Sequence, residues 1–200
     1  MHKNQALLII DVQNDFCPQG ALPVKNGDEV VPVLNEYIKI FKKKGLPILA
    51  SRDWHPVKTT HFKEFGGLWP AHCVADTQGA AFHPDLQLPD DMILVTKGTD
   101  PQKDSYSAFH GQTKEGADLN GFLKEAGIKE LYVGGLATDY CVMSSCLDAR
   151  MYGFDVYLLV DAIKGVNLKP QDAHNAIEKM HTQSVKDMDV KRMAQQMKRS

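Results

Sequence analysis

A parallel β-sheet carrying helices on both faces, an α/β fold, is what this sequence predicts, and three observations predict it. Apolar runs of about five residues recur along the chain without polar alternation. Stretches of helical spacing separate several of them. Glycines and prolines punctuate the changes from one pattern to the other.

The apolar runs fall at 6–10, 47–50, 92–96, 131–136 and 156–160. A strand with one wet face would alternate apolar and polar residues, so continuous runs such as A-L-L-I-I indicate strands buried on both faces. Helical spacing covers 28–44, 116–126, 141–152 and 170–180. Gly45 after the lysines 42–44, Gly127 after Ala126 and Gly153 after Tyr152 mark helix ends, and Pro170 suits a first helical turn. Strand and helix in alternation give a mostly parallel central sheet in a three-layer sandwich. The segment 54–89, rich in His, Pro and Gly, has no period, and loops of that length in a compact domain usually serve function.

A chain of 200 residues with 43% apolar composition suffices for one full core, so a single domain over 1–200 is expected. The net charge of −2 and the lack of any long block of like charge exclude the basic footprint of a nucleic-acid binder. No stretch is long enough to span a bilayer, and the apolar run that ends at Asp11 lacks the cleavage pattern of a signal peptide. The expected partner is a small molecule, with a homo-oligomer left open. Cys17, Cys73, Cys141 and Cys146 form no C-x-x-C pair, and a chain of this size needs no staples, so free thiols in a reducing cytoplasm are expected.

In an open parallel sheet, ligands bind beyond the carboxyl ends of the strands. Three polar residues stand there: Asp11 ends L-L-I-I-D, Lys97 ends I-L-V-T-K, and Cys141 opens the helix after L-Y-V-G-G-L-A-T-D-Y. Taken singly, each has an ordinary reading: a buried thiol, a turn residue, a solvated lysine. Together they suit nucleophilic attack by sulfur. A helix N-terminus and a nearby ammonium both favour the thiolate. Asp11 can take the thiol proton, return it to a departing amine and later activate water. Backbone N–H groups around 137–141 can receive an oxyanion.

Asp53 and His55 lie two residues apart, which in an extended chain puts both side chains on one face. With His61 and His72 they make a mixed N/O set for one divalent metal ion, zinc in preference to iron or manganese. Glu64, three residues beyond His61, is its substitute as ligand. Cys73 points away from His72 and is expected, like Cys17 and Cys146, to pack. His2, His110, His174 and His181 lack such company, and His83 is a loop residue.

The motifs D-V-Q-N-D-F at 11–16, R-D-W-H at 52–55, W-P-A-H-C-V at 69–74, T-K-G at 96–98 and G-L-A-T-D-Y-C-V at 135–142 occur in that order. In this the chain resembles the nicotinamidase branch of the isochorismatase-like cysteine hydrolases over nearly its whole length. The resemblance implies a Rossmann-like sheet, a triad of Asp11, Lys97 and Cys141, and a metal held by Asp53, His55, His72 and His61. It implies a pyridine nitrogen facing the metal and a carboxamide facing the thiol, hence hydrolysis of nicotinamide, and of its isostere pyrazinamide, through a thioester. It also implies a cis peptide at Leu136–Ala137 and an oxyanion hole from the Ala137 and Cys141 N–H groups. Phe16 and Trp69 by motif, and Tyr106 by its place after Lys97, are the aromatic side chains expected around the ring, with Leu136 also expected in the pocket. Relatives of the same scaffold cleave other amides, carbamoyl groups or a vinyl ether. Cys141 speaks against the vinyl ether, and Asp53, His55 and His72 speak against the metal-free amidases.

Overall fold

The computed structural model describes residues 4–199, so His2 lies outside the described residues. Seven strands form one sheet: β1 (Gln5–Ile10), β2 (Ile48–Asp53), β3 (Ile93–Lys97), β4 (Gln112–Thr113), β5 (Glu130–Leu136), β6 (Asp155–Lys164) and β7 (Lys186–Met188). Their order is β4-β3-β2-β1-β5-β6-β7. Every neighbouring pair is parallel except β3 with β4. The helices are α1 (Val30–Lys44), α2 (Leu119–Glu125), α3 (Met143–Met151), α4 (Asp172–Thr182) and α5 (Val190–Arg199).

The pleat of β1 divides the core. Leu7 and Ile9 pack on one face with Leu34, Tyr37, Ile38 and Phe41 of α1 and Met193 of α5. Ala6, Leu8 and Ile10 pack on the other with Leu119 and Leu123 of α2, Cys146 and Ala149 of α3 and Met180 of α4. Side chains alternate along a strand, so a run apolar at every position must be covered twice, which is why these runs carry no polar alternation. No helix among the described residues is long and apolar enough to cross a membrane.

Chain direction across the sheet reverses between β1 and β5, since β2 and β3 follow on one side and β6 and β7 on the other. This is the switch point at which open α/β sheets leave a crevice. Asp11 follows β1 and Cys141 follows β5, on opposite sides of it. Gly135, with φ 122°, allows close approach there: a Cβ on it would stand 2.1 Å from Ile10 O, so only glycine fits.

Several elements depart from expectation. Pro170 lies outside α4, which starts at Asp172 behind Gln171 at φ 86°. The Asp172 carboxylate accepts from Lys169 N–H, so a reversing turn occupies the position of the expected first helical turn. The helix expected from 116 starts at Leu119, where Asp118 caps it by accepting from Gly121 N–H at 2.8 Å. The helix that Cys141 was expected to open begins instead with one wide π turn, Thr138–Val142, before α3. β4, β7 and α5 had no expectation at all.

Candidate active site

Four strand ends supply the polar centre. Asp11 leaves β1 at φ 47°, and its Oδ1 accepts from Ser51 Oγ of β2 at 2.7 Å. Its Oδ2 pairs at 2.8 Å with Lys97 Nζ, from the end of β3. The same ammonium pairs with Asp53 Oδ1, donates to Ser105 O at 3.1 Å and lies 3.5 Å from Cys141 Sγ. Asp11, Lys97 and Asp53 are buried, and Cys141 is 6% exposed. The expected acid, base and thiol are thus brought together.

Electrostatics there differ in one respect from the sequence expectation of a thiolate. Burial pushes the Cys141 thiol well up, Lys97 opposes this, and Asp11 and Asp53 reinforce it. Two carboxylates face one ammonium, so the resting form is the neutral thiol. Burial also raises Asp11 against the pull of Lys97. Burial works against the Lys97 charge, but Asp11 and Asp53 outweigh it and hold the ammonium firmly protonated. For Asp53, burial is outweighed by Lys97 and by the nearby His55 ring, and the carboxyl sits well below its usual range.

Beside this centre, ligand atoms of His55, His61 and His72 lie within 4.8 Å of one another. All three rings are buried. His55 Nε2 is buried without a hydrogen-bond partner and stands 3.6 Å from Asp53 Oδ2. Burial holds His72 down to about 4 and lowers His61 as well, so both stay neutral and keep a lone pair. An orphaned buried nitrogen, neutral imidazoles and one surplus buried carboxylate are what a bound cation would satisfy, so the residues fit a divalent metal. Glu64 does not join them: it lies exposed on the short turn Lys63–Phe65, while His61 faces inward. The substitute Glu64 thus stands apart from the cluster, and His61, the residue it was to replace, is among the three rings brought together.

A cleft of about 380 Å³, including its open mouth, connects the two clusters. Cys141 and Ala137 line it together with Asp53, His61 and His72. Phe16, Trp69 and Tyr106 form its aromatic wall, with Trp69 Nε1 donating to Tyr106 Oη at 3.0 Å. Leu136 does not line it. As the last residue of β5 it turns into the core on the α1 side, and the peptide that follows, Leu136–Ala137, is cis and presents Ala137 to the cleft instead.

Leu22, Tyr140 and Val166 also line the cleft, and sequence reasoning missed them. Tyr140 meets the Trp69 ring edge-on at a centroid distance of 5.0 Å. Val166 is held by Asp139, whose carboxylate accepts from Val166 N–H at 2.9 Å and Asn167 N–H at 2.8 Å. Tyr140 and Asp139 precede Cys141 within T-D-Y-C, the one signal that marked them. Gln13 was missed as well. Its buried amide donates to Asp53 O and accepts from Asp53 N–H, both at 2.8 Å, and so pins the end of β2. Gly98, at φ 72°, sits so close that a Cβ would stand 2.7 Å from His55 Cε1, and its carbonyl meets His55 Nδ1 at 3.0 Å.

The Isochorismatase domain model matches residues 5–192. Nicotinamidase of Escherichia coli (strain K12) is 39% identical over 192 residues, 88% of this chain and 90% of that protein. The crystal structure of pyrazinamidase of Pyrococcus horikoshii in complex with zinc is 47% identical with a TM-score of 0.86, covering 93% of this chain and 99% of the other. PnC1 from L. infantum in complex with nicotinate is 32% identical, also at a TM-score of 0.86, over 95% and 94%. Agreement over nearly the full length, in sequence and in backbone shape, leaves one assignment: the chain belongs to the isochorismatase family.

Proposed function

We propose that the protein is a nicotinamidase, one catalytic domain that converts nicotinamide and water to nicotinate and ammonia and accepts pyrazinamide as a close isostere. One observation carries this reading: an aromatic-walled cleft with a buried thiol beside a carboxylate and an ammonium and with imidazoles of a metal-binding set in the same wall. The names of the similar proteins, nicotinamidases and pyrazinamidase, support it. The four cysteines are free, in keeping with a reducing, cytoplasmic setting.

In this reading Cys141 Sγ attacks the carboxamide carbon while Asp11 takes the thiol proton. The transfer accompanies attack because the resting thiol is neutral. Ala137 and Cys141 N–H groups receive the oxyanion. Asp11 returns its proton to the amine, the C–N bond breaks, ammonia departs and a thioester remains. Asp11 then takes a proton from water, the hydroxyl adds to the thioester carbon, the C–S bond breaks as Asp11 passes that proton to the departing sulfur, and the acid released ionises to nicotinate. Lys97 keeps Asp11 in place and offsets negative charge as it develops on sulfur. Asp53, His55, His61 and His72 would hold a divalent ion, zinc in our reading, which when bound supplies a Lewis-acid docking point for the pyridine nitrogen. Phe16, Trp69 and Tyr106 would flank the ring.

The test is ammonia and nicotinate release from nicotinamide by reduced, zinc-loaded protein, with benzamide in parallel. Rapid release from nicotinamide and slow release from benzamide, which lacks the ring nitrogen, is expected. No release from nicotinamide would overturn the reading.

A further inference from the structure

Three imidazoles of the candidate metal cluster are oriented in the same sense but by unlike groups. His55 Nδ1 meets Gly98 O at 3.0 Å, and His72 Nδ1 meets Pro70 O at 2.7 Å. A carbonyl only accepts, so each Nδ1 carries a proton, and the neutral ring of that tautomer has its lone pair on Nε2. His61 Nδ1 instead pairs with a side chain, the Asp104 carboxylate. An ionised carboxylate likewise only accepts, which fixes the same tautomer.

Asp104 is half exposed, at 58%, whereas the ring it holds is 5% exposed. Surface ion pairs contribute little by themselves, so a pair reaching from solvent to a buried ligand calls for another explanation. Its neighbours supply one. Ser105 O accepts from Lys97 Nζ at 3.1 Å, and Tyr106 Oη accepts from Trp69 Nε1 at 3.0 Å. Three successive residues therefore touch a metal-set imidazole, the buried ammonium and the aromatic wall. The segment is also fastened without Asp104, because Thr59 Oγ1, Thr60 Oγ1 and Thr60 N–H all donate to Pro101 O, at 3.2, 3.1 and 2.9 Å.

We propose that Asp104 is a positioning residue for the metal: its carboxylate holds His61 as the Nδ1–H tautomer with Nε2 free for the cluster, and strengthens that nitrogen as a donor. The inference rests on the reading of His55, His61 and His72 as metal ligands. Of the three orienting groups, Asp104 is the one a substitution can remove, since the other two are backbone carbonyls.

The experiment uses full-length metal-free protein, wild type, Asp104→Asn and Asp104→Ala. It measures zinc affinity by chelator competition and the visible ligand-field spectrum with Co²⁺, and it compares thermal unfolding of the metal-free forms. Asp104→Ala should bind zinc about 10–100-fold more weakly and alter the cobalt spectrum. Asp104→Asn, whose amide oxygen still accepts from Nδ1–H but carries no charge, should fall between. Metal-free unfolding should be unchanged because Pro101 still tethers the segment. Wild-type zinc affinity and an unaltered cobalt spectrum in Asp104→Ala would overturn the proposal. Should that variant fail to fold, Asp104→Asn decides, and affinity equal to wild type would overturn it. Wild-type protein that binds neither ion would instead sink the metal-site reading, a separate failure.

Discussion

Asp11 and Lys97 meet at 2.8 Å across the end of a strand that belongs to neither of them. Asp11 follows β1 and Lys97 ends β3, and β2 lies between, contributing Ser51 to the pair through Asp11 Oδ1. Neither side chain is exposed. Removing two charges from water costs several kcal/mol per ion, so such a pair is weak evidence for stability and better evidence for chemistry. Asp11→Asn should lower kcat for nicotinamide by about 10²-fold or more, the range for a positioned proton carrier, with KM changing far less. Steady-state ammonia release reads both, and an unchanged kcat would remove Asp11 from its role.

The same substitution should move thiol reactivity the other way. After burial, Asp11 and Asp53 hold the Cys141 thiol up while Lys97 pulls it down. Asp11→Asn deletes one carboxylate and keeps the ammonium, so the thiolate fraction at neutral pH rises. In the metal-free protein, iodoacetamide should therefore label Cys141 faster in Asp11→Asn than in wild type, and slower in Lys97→Met. Peptide mass spectrometry separates Cys141 from Cys17, Cys73 and Cys146, each of which burial also pushes up. Slower labelling in Asp11→Asn would contradict the charge balance described for the site.

The sheet was legible because its central strands carry continuous apolar runs, a pattern that two-sided burial explains. β4 and β7, two and three residues long, are too short to carry a pattern, and α5 is largely polar with Met193 as its anchor. Asp11, Lys97 and Cys141 were legible as polar residues ending apolar runs. Gln13, Leu22 and Val166 were not, because their roles arise from contacts between distant segments: T-D-Y-C marked Asp139, but nothing in the sequence showed that it reaches 27 residues along the chain to Val166. Leu136 shows the converse. Its place beside the nucleophile loop suggested the pocket, but strand alternation turns its side chain to the core.

Metal removal should cost activity on nicotinamide far more than it costs the fold. The histidine set sits in the loop 54–74, which the backbone bonds His55 N–H to Cys73 O at 2.9 Å and Ala75 N–H to His55 O at 2.8 Å hold without an ion. Dialysis against a strong chelator should abolish most ammonia release, and stoichiometric zinc should restore it. Far-UV circular dichroism should change little throughout. Full activity in metal-free protein would contradict the docking role assigned to the ion.

His72 links the metal-free site to pH. Burial lowers its imidazole to about 4, against 6.5 for the free group, with Pro70 O opposing the shift. Between those two values the unfolded chain binds a proton that the folded protein refuses, so protonation favours unfolding. The His72 contribution is therefore neutral above the unfolded value and becomes destabilising as pH falls towards 4, reaching roughly 3 kcal/mol. His61, also lowered chiefly by burial, acts in the same direction. Histidine NMR titration of the metal-free protein should place the His72 midpoint well below 6, and urea unfolding should give lower stability at pH 5 than at pH 7.5 for wild type, with a smaller difference in His72→Asn. A His72 ring that titrates near 6.5 would mean that water reaches it freely, and the lone pair offered to a metal would then be lost over much of the acidic range.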